Sequence, residues 1–275
     1  MKILEQMRSF EKQHGRSLTC DGQIWHYYRL GRGTPVLWLT GGLRRSALGY
    51  SFLEQLAKMH TVIAPDYLAT HTIDEFIEAF NAILKTEKIE RFILAGQSYG
   101  SLLAQAYLSQ RPQVVEMLVI SSGGPADYGR AWLAADYLAI GFLRLLSERG
   151  ARKFFLNSLR RVLPAGSGEQ AEWREIVQNV VMQDLTRADL ISHFGVAADL
   201  INKRYVCPAA FADWHGRVIV LSATNDPTQG AGDLPRYERL FGRPVEWVDL
   251  GDMGHAGLLF NPQRFIKILE KALGD

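Results

Sequence analysis

The stretch Phe92–Pro112, FILAGQSYGSLLAQAYLSQRP, joins an apolar run of strand length to an amphipathic run of helix length, with Ser98 at the join between Gly96 and Gly100. A buried strand points its side chains alternately above and below its sheet, so a reactive group on the strand itself is poorly placed. A sharp turn at the strand end solves this. It projects the serine at the carboxyl edge, where the next helix aims its unpaired N–H groups and positive dipole end. Such a turn brings strand and helix so close that the residues two before and two after the serine must be small. Gly96 and Gly100 fill those places, and the order strand, turn, helix predicts an elbow with Ser98 at its tip.

Working outward from the elbow, apolar runs of strand length recur: PVLWLTGG (Pro35–Gly42), HTVIAPD (His60–Asp66), VVEMLVISS (Val114–Ser122), GRVIVLSA (Gly216–Ala223) and VEWVDL (Val245–Leu250). Two further β-rich runs, Arg16–Cys20 and Gln23–Leu30, flank Asp21-Gly22, a hairpin signal because both turn residues tolerate positive φ. Helical patterns lie between the runs at Ser46–Lys58, Thr72–Lys85, Tyr99–Gln110 and Gln263–Leu273. Thr72 and Glu75 have capping-box spacing, and Pro112 ends the Tyr99 helix. Alternating strands and helices predict an α/β fold, with a mostly parallel sheet covered on both faces.

The alternation stops between about Gly124 and Trp214. Helical patterns follow one another there, at Arg130–Arg149, Ala151–Leu163, Glu169–Met182 and Arg187–Ile201, with a linker LPAGSGE at Leu163–Glu169. The expected organisation is a core of residues 1–124 and 213–275 with a helical cap, 125–212, inserted in it. The apolar window Ala131–Leu146 contains Asp136 and Arg144 and is too short and too polar to span a membrane.

The composition fits a globular protein: 47% hydrophobic and 22% charged residues over 275 positions, a length that one α/β domain can accommodate. A formal net charge of +2 without long blocks of one sign argues against a nucleic-acid or strongly acidic partner. Cys20 and Cys207 make no metal or CxxC spacing, and MKILEQMRSFEKQHG lacks the apolar core of a signal peptide. Reduced thiols and a cytoplasmic location are expected, with no cofactor and no metal.

A serine hydroxyl is a weak nucleophile at neutral pH and needs a base held by an orienting carboxylate. Two more strand ends offer them. VIVLSATNDPTQG places Asp226 just past a strand, with Asp233, Asp249 and Asp252 as nearby carboxylates, and VEWVDLGDMGHAGLLF places His255 in a glycine-bearing loop. An oxyanion formed at the serine needs backbone donors. Those expected are the N–H of Tyr99, directly after the serine, and that of Gly42 or Leu43 in the glycine turn after PVLWLT. Arg44-Arg45 reads either as a holder of an acidic substrate group or as solvated surface. Trp132, Tyr137 and Phe142 read either as lining of an acyl pocket or as packing between cap and core.

Ordered Ser98, Asp226, His255, with the elbow and the glycine turn, the sequence resembles the α/β-hydrolase superfamily over nearly its whole length. Its spacing also looks like the maspardin-like branch. Thr40-Gly41 stands where many members have His-Gly, and PDYLATHTIDEF lacks the glycine-rich turn common after the fourth strand. The resemblance implies an eight-stranded sheet with the site under the cap. The expected activity is hydrolysis of small or medium-sized, partly apolar carboxylic esters through an acyl-enzyme. The alternatives are another scissile bond (amide, lactone or carbon–carbon) and a non-catalytic binding or adaptor role.

Overall fold

The computed structural model describes residues 2–163 and 167–274. Of the expected linker at 163–169, residues 164–166 lie outside the described residues. Eight strands form one sheet: β1 (Gly15–Cys20), β2 (Gln23–Leu30), β3 (Thr34–Leu39), β4 (His60–Pro65), β5 (Phe92–Gln97), β6 (Val115–Ser121), β7 (Arg217–Ala223) and β8 (Glu246–Gly251). Their order is β1-β2-β4-β3-β5-β6-β7-β8; β2 pairs antiparallel with both β1 and β4, and every other pairing is parallel. The β1–β2 hairpin turns at Asp21 (φ 48°) and Gly22 (φ 75°), the positive-φ pair that the sequence signals.

The strands are apolar on both faces because both faces are covered. Along β3, Val36 and Trp38 pack with Phe52, Leu53 and Phe265 on one side. Leu37 and Leu39 pack with Phe76, Phe80 and Leu103 on the other. The helices that supply these partners are α2 (Tyr50–Leu56), α3 (Ile73–Thr86), α4 (Tyr99–Gln110) and the C-terminal helix Pro262–Gly274, below α12, and α1 (Lys2–His14) joins the first cluster through Ile3, Met7 and Phe10. α3 starts at the expected capping box: Thr72 accepts from the Glu75 N–H, and Glu75 reaches back to the Thr72 N–H. The pattern expected as one helix over Ser46–Lys58 is a 310 turn, Ser46–Gly49, followed by α2.

Between β6 and β7 lie α5 (Arg130–Leu145), α6 (Glu148–Leu159), α7 (Glu169–Asn179), α8 (Arg187–Lys203) and the short α9 (Pro208–Phe211). The pattern at Arg130–Arg149 breaks at Leu146, because Ser147 turns its side chain to accept from the Gly150 N–H and caps a new helix. α7 runs into a π-helical turn, Val180–Asp184. These helices share an apolar cluster of their own, with Leu143, Phe155, Val177, Leu185 and Leu190. They also join the sheet clusters through Trp173 and Ile176 on one face and Val196 and Leu200 on the other. The helices α10 (Asp233–Phe241) and α11 (Gly257–Phe260) lie between β7 and α12. Among the described residues no helix is long and apolar enough to cross a membrane.

Strand order places the site. From β3 the chain goes to β4 on one side, and β5 is laid down on the other, so the loops after β3 and β5 diverge around a crevice at their carboxyl ends. Leu39 pairs with Gly96, which brings Thr40-Gly41-Gly42 and Gln97-Ser98 out of the sheet side by side.

Candidate active site

Ser98 sits at φ 54°, ψ −118°, a region that a residue with a Cβ rarely occupies. The turn is held on both sides: the Ser98 N–H donates to the Ser121 carbonyl of β6 at 2.8 Å, and its carbonyl accepts from the Ser101 N–H and hydroxyl. The requirement for small flanking residues is met without slack. A Cβ on Gly96 would lie 2.2 Å from the Gly100 carbonyl oxygen, and one on Gly100 would lie 2.0 Å from that of Leu39.

Three strand-end loops bring their side chains to one point. His255 Nε2 lies 2.9 Å from Ser98 Oγ, and its Nδ1 lies 3.0 and 3.1 Å from the two carboxylate oxygens of Asp226. Asp226 is buried, whereas Asp252 pairs with Arg264 away from the site. Burial alone would raise the Asp226 carboxyl, but the hydrogen bond and charge of His255 and two bonds from Thr228 outweigh it and hold the group below the usual carboxylate value. An anionic Asp226 accepting from Nδ1–H leaves Nε2 free to accept a proton from Ser98.

Sequence reasoning missed the side chains that fix this geometry. Thr228 donates from both its N–H (2.9 Å) and its hydroxyl (2.7 Å) to Asp226 Oδ1, and its hydroxyl also lies 3.0 Å from His255 Nδ1. Asn225 accepts from the Gly254 N–H and donates to the Asp252 carbonyl, which ties the histidine loop to the end of β7. Gln97 donates to the His255 carbonyl at 3.1 Å. The Asp-Pro-Thr step after β7 was the available signal for Thr228, since an aspartate commonly accepts from the N–H two residues on.

The residues expected to supply oxyanion donors lie close together. Tyr99 is the first residue of α4, so its N–H has no intrahelical acceptor. The Arg44 N–H bonds to the Gly41 carbonyl at 3.0 Å, closing a turn whose own bond does not use the N–H groups of Gly42 and Leu43. Gly42 lies against the elbow: a Cβ there would be 3.8 Å from the Tyr99 Cβ and 2.9 Å from His193 Cε1. The loop after β4 braces this turn. Tyr67 donates its hydroxyl to the Thr40 carbonyl at 2.7 Å and its N–H to the Arg44 carbonyl at 3.0 Å.

Arg44 is neither a solvated arginine nor a group facing the crevice. It is fully buried, donating to the Asp189 and Leu68 carbonyls and the Ser192 hydroxyl and pairing with the Asp189 carboxylate at 3.5 Å. It therefore locks the loop after β3 to α8. All three aromatic candidates on α5 are exposed, and of them only Trp132 also lines the crevice.

Two cavities share Ser98, Trp132, His193, Phe194 and Thr228. One, about 570 Å³, is walled by apolar side chains such as Leu43, Phe155, Leu159, Val162 and Leu258. The other, about 610 Å³, is more polar, with Tyr128, Asp136, Asp233 and Arg236. His193, stacked on Tyr99 with ring centroids 4.1 Å apart, stands between them. Although part of the residue faces the cavities, its Nδ1 is closed off from solvent and unbonded. Burial and the nearby Arg44 charge push its pKa down to about 3. Among the described residues no group of three or more His, Cys, Asp or Glu side chains is placed to hold a metal ion.

A family model described as alpha/beta hydrolase fold matches residues 34–262, and the chain belongs to that family. The chain is 31% identical over 103 residues to a proline iminopeptidase of Heyndrickxia coagulans, an alignment covering 34% of this chain and 36% of the relative. It is 27% identical over 107 residues to an uncharacterized protein of Mycobacterium bovis, covering 35% and 31%. The chain thus spans about a third of the length of the curated relatives it matches. Among solved structures it is similar to a thermophilic esterase from Thermogutta terrifontis, with TM-score 0.76, 15% identity and coverage of 94% of this chain and 98% of that one. A putative lipase from Acinetobacter baumannii superposes with TM-score 0.74 at 17% identity, covering 99% and 94%. At these identities the likeness establishes the fold.

Proposed function

We propose that the protein is a serine hydrolase of small or medium-sized, partly apolar carboxylic esters, with Ser98 as nucleophile, His255 as general base and acid, and Asp226 as the orienting carboxylate. The observation that carries this reading is the unbroken chain Ser98 Oγ, His255 Nε2, His255 Nδ1, Asp226, each link 2.9–3.1 Å long. Ser98 Oγ attacks the ester carbonyl as its proton passes to His255 Nε2. The tetrahedral oxyanion accepts from the N–H groups of Tyr99 and Gly42, each such donor being worth ~3 kcal/mol in comparable sites. Collapse expels the alkoxide, which takes the proton from His255. A water then gives its proton to His255 and attacks the acyl-enzyme, releasing the acid and restoring Ser98. The helices between β6 and β7 act as a cap over the crevice, and the cavity walled by Leu43, Phe155 and Leu159 takes the apolar part of the substrate.

The partial match to a proline iminopeptidase favours a second reading, an amide as the scissile bond in the same machinery. Turnover of p-nitrophenyl butyrate beside the matching p-nitroanilide separates the two readings. Fluorophosphonate labelling tests both: a covalent adduct on Ser98 that is lost in Ser98→Ala is expected, and unchanged ester turnover in Ser98→Ala removes the mechanism.

A further inference from the structure

The more polar of the two cavities holds a carboxylate that the proposed chemistry does not use. Asp136, on α5, lines it together with Ser98. Burial is the only influence that shifts this group, raising it to about 6, and among the described residues no hydrogen bond or ion pair reaches it. The cation in the same wall is already engaged: Arg236 bonds Asp127 at 2.5 Å and pairs with Asp233 at 3.6 Å. His193 carries no charge near neutral pH. The lining thus sets two carboxylates, Asp136 and Asp233, against one guanidinium that is shared with a third, Asp127.

Aromatic rings line the same cavity as the unpaired charge. Trp132 is four residues before Asp136 on the same helix, which puts both on one side of α5. Tyr128 packs on Trp132 with ring centroids 5.5 Å apart, and its hydroxyl feels the Asp136 charge. A carboxylate lacking its cation beside two electron-rich rings is the combination that recognises ammonium groups, through charge and through the ring faces. We propose that this cavity is a subsite for a cationic nitrogen of the substrate, held between the Asp136 carboxylate and the Tyr128 and Trp132 rings. This deepens the hydrolase reading and rests on it: the apolar cavity takes one end of the substrate, and the other end carries the amine.

The test needs no turnover. Calorimetry on the Ser98→Ala protein compares benzylammonium with benzyl alcohol, which has similar shape and no charge. Benzylammonium should bind at least about tenfold more tightly, in line with a cation–carboxylate and cation–π contact in a partly buried site. Asp136→Asn should abolish that preference and Asp136→Glu should retain it. Equal affinities in the Ser98→Ala protein overturn the proposal without any Asp136 variant, as does a preference that survives Asp136→Asn. Because the measurement uses an inert protein, its failure leaves the nucleophile assignment standing, whereas an unreactive Ser98 leaves the ammonium affinity standing and removes only its role in substrate binding.

Discussion

Gly100 lies directly beneath Leu39: a methyl group on its α-carbon would come within 2.0 Å of the Leu39 carbonyl oxygen. The contact couples the first turn of α4 to the end of β3, so the elbow and the glycine turn are fixed against each other by backbone that cannot yield. Gly100→Ala should therefore cost at least about 2 kcal/mol, as overpacking against a rigid neighbour does. Gly141→Ala is the control. Gly141 lies in α5 with open space around its α-carbon, and alanine there should be neutral or stabilise by up to ~1 kcal/mol. Urea denaturation midpoints of the two variants should move in opposite directions or differ by most of this amount.

Asp226→Asn keeps the shape of the side chain but no longer favours Nδ1–H on His255. We expect kcat/KM for p-nitrophenyl butyrate to fall about 10⁴-fold at neutral pH with the melting curve little changed, by analogy with orienting-carboxylate amides elsewhere. Thr228→Val, which removes only the hydroxyl, should lose far less, on the order of tenfold. A Thr228→Val loss as large as that of Asp226→Asn would mean that Thr228 does more than support the carboxylate.

The elbow, the alternation of strands with helices and the position of three polar candidates just past strand ends are legible because each reflects a local constraint. Only glycine fits at 96 and 100, only apolar residues fill strands covered on both faces, and polar groups follow strand ends. What stayed hidden depends on tertiary partners. Arg44 reads as a surface residue until Asp189 and Ser192, far along the chain, enclose it. α1 buries Ile3, Met7 and Phe10, and the charges between those positions mask its one packed face. α10 follows a loop rich in turn formers and shows its apolar face only through Tyr237, Leu240 and Phe241.

His193 supplies the pH prediction. Its pKa falls from 6.5 to about 3 on folding, so the unfolded chain binds the proton first as pH drops. Its contribution to stability is fully present above about pH 6.5 and is lost as pH falls toward 3, by at most ~1.4 kcal/mol per pH unit. His193→Phe preserves a ring against Tyr99 and removes the titration. Unfolding free energies at pH 7 and pH 4.5 should therefore differ less in the variant than in the parent; equal differences would refute the assignment.

Arg44→Met leaves the Asp189 carboxylate enclosed without its cation. Breaking a buried pair from one side typically costs ~3–5 kcal/mol, and a loss of that order is expected in denaturant unfolding. The double variant Arg44→Met with Asp189→Asn should recover part of it.

Leu159→Trp tests the assignment of the apolar cavity. Each methylene buried there should favour reaction by ~0.8 kcal/mol, so kcat/KM should climb along the series acetate, butyrate, hexanoate until the chain meets the wall. The larger ring should end that climb at a shorter ester. An unchanged series would place the acyl chain elsewhere.

Ser98, Asp226 and His255, with the supporting Asn225 and Thr228, lie in loops at one edge of the sheet, Gln97 ends β5 at the same edge, and none of them comes from the helices between β6 and β7. Those helices instead furnish Trp132, Asp136, Phe155 and Leu159 to the cavity walls. On the proposed function, reactivity is thus encoded outside the stretch between β6 and β7, and a large part of selectivity within it. A foreign segment spliced between the ends of β6 and β7 would inherit a working bond-breaking apparatus and bring its own preference for what is broken, provided that it replaces the anchorage Asp189 gives to Arg44.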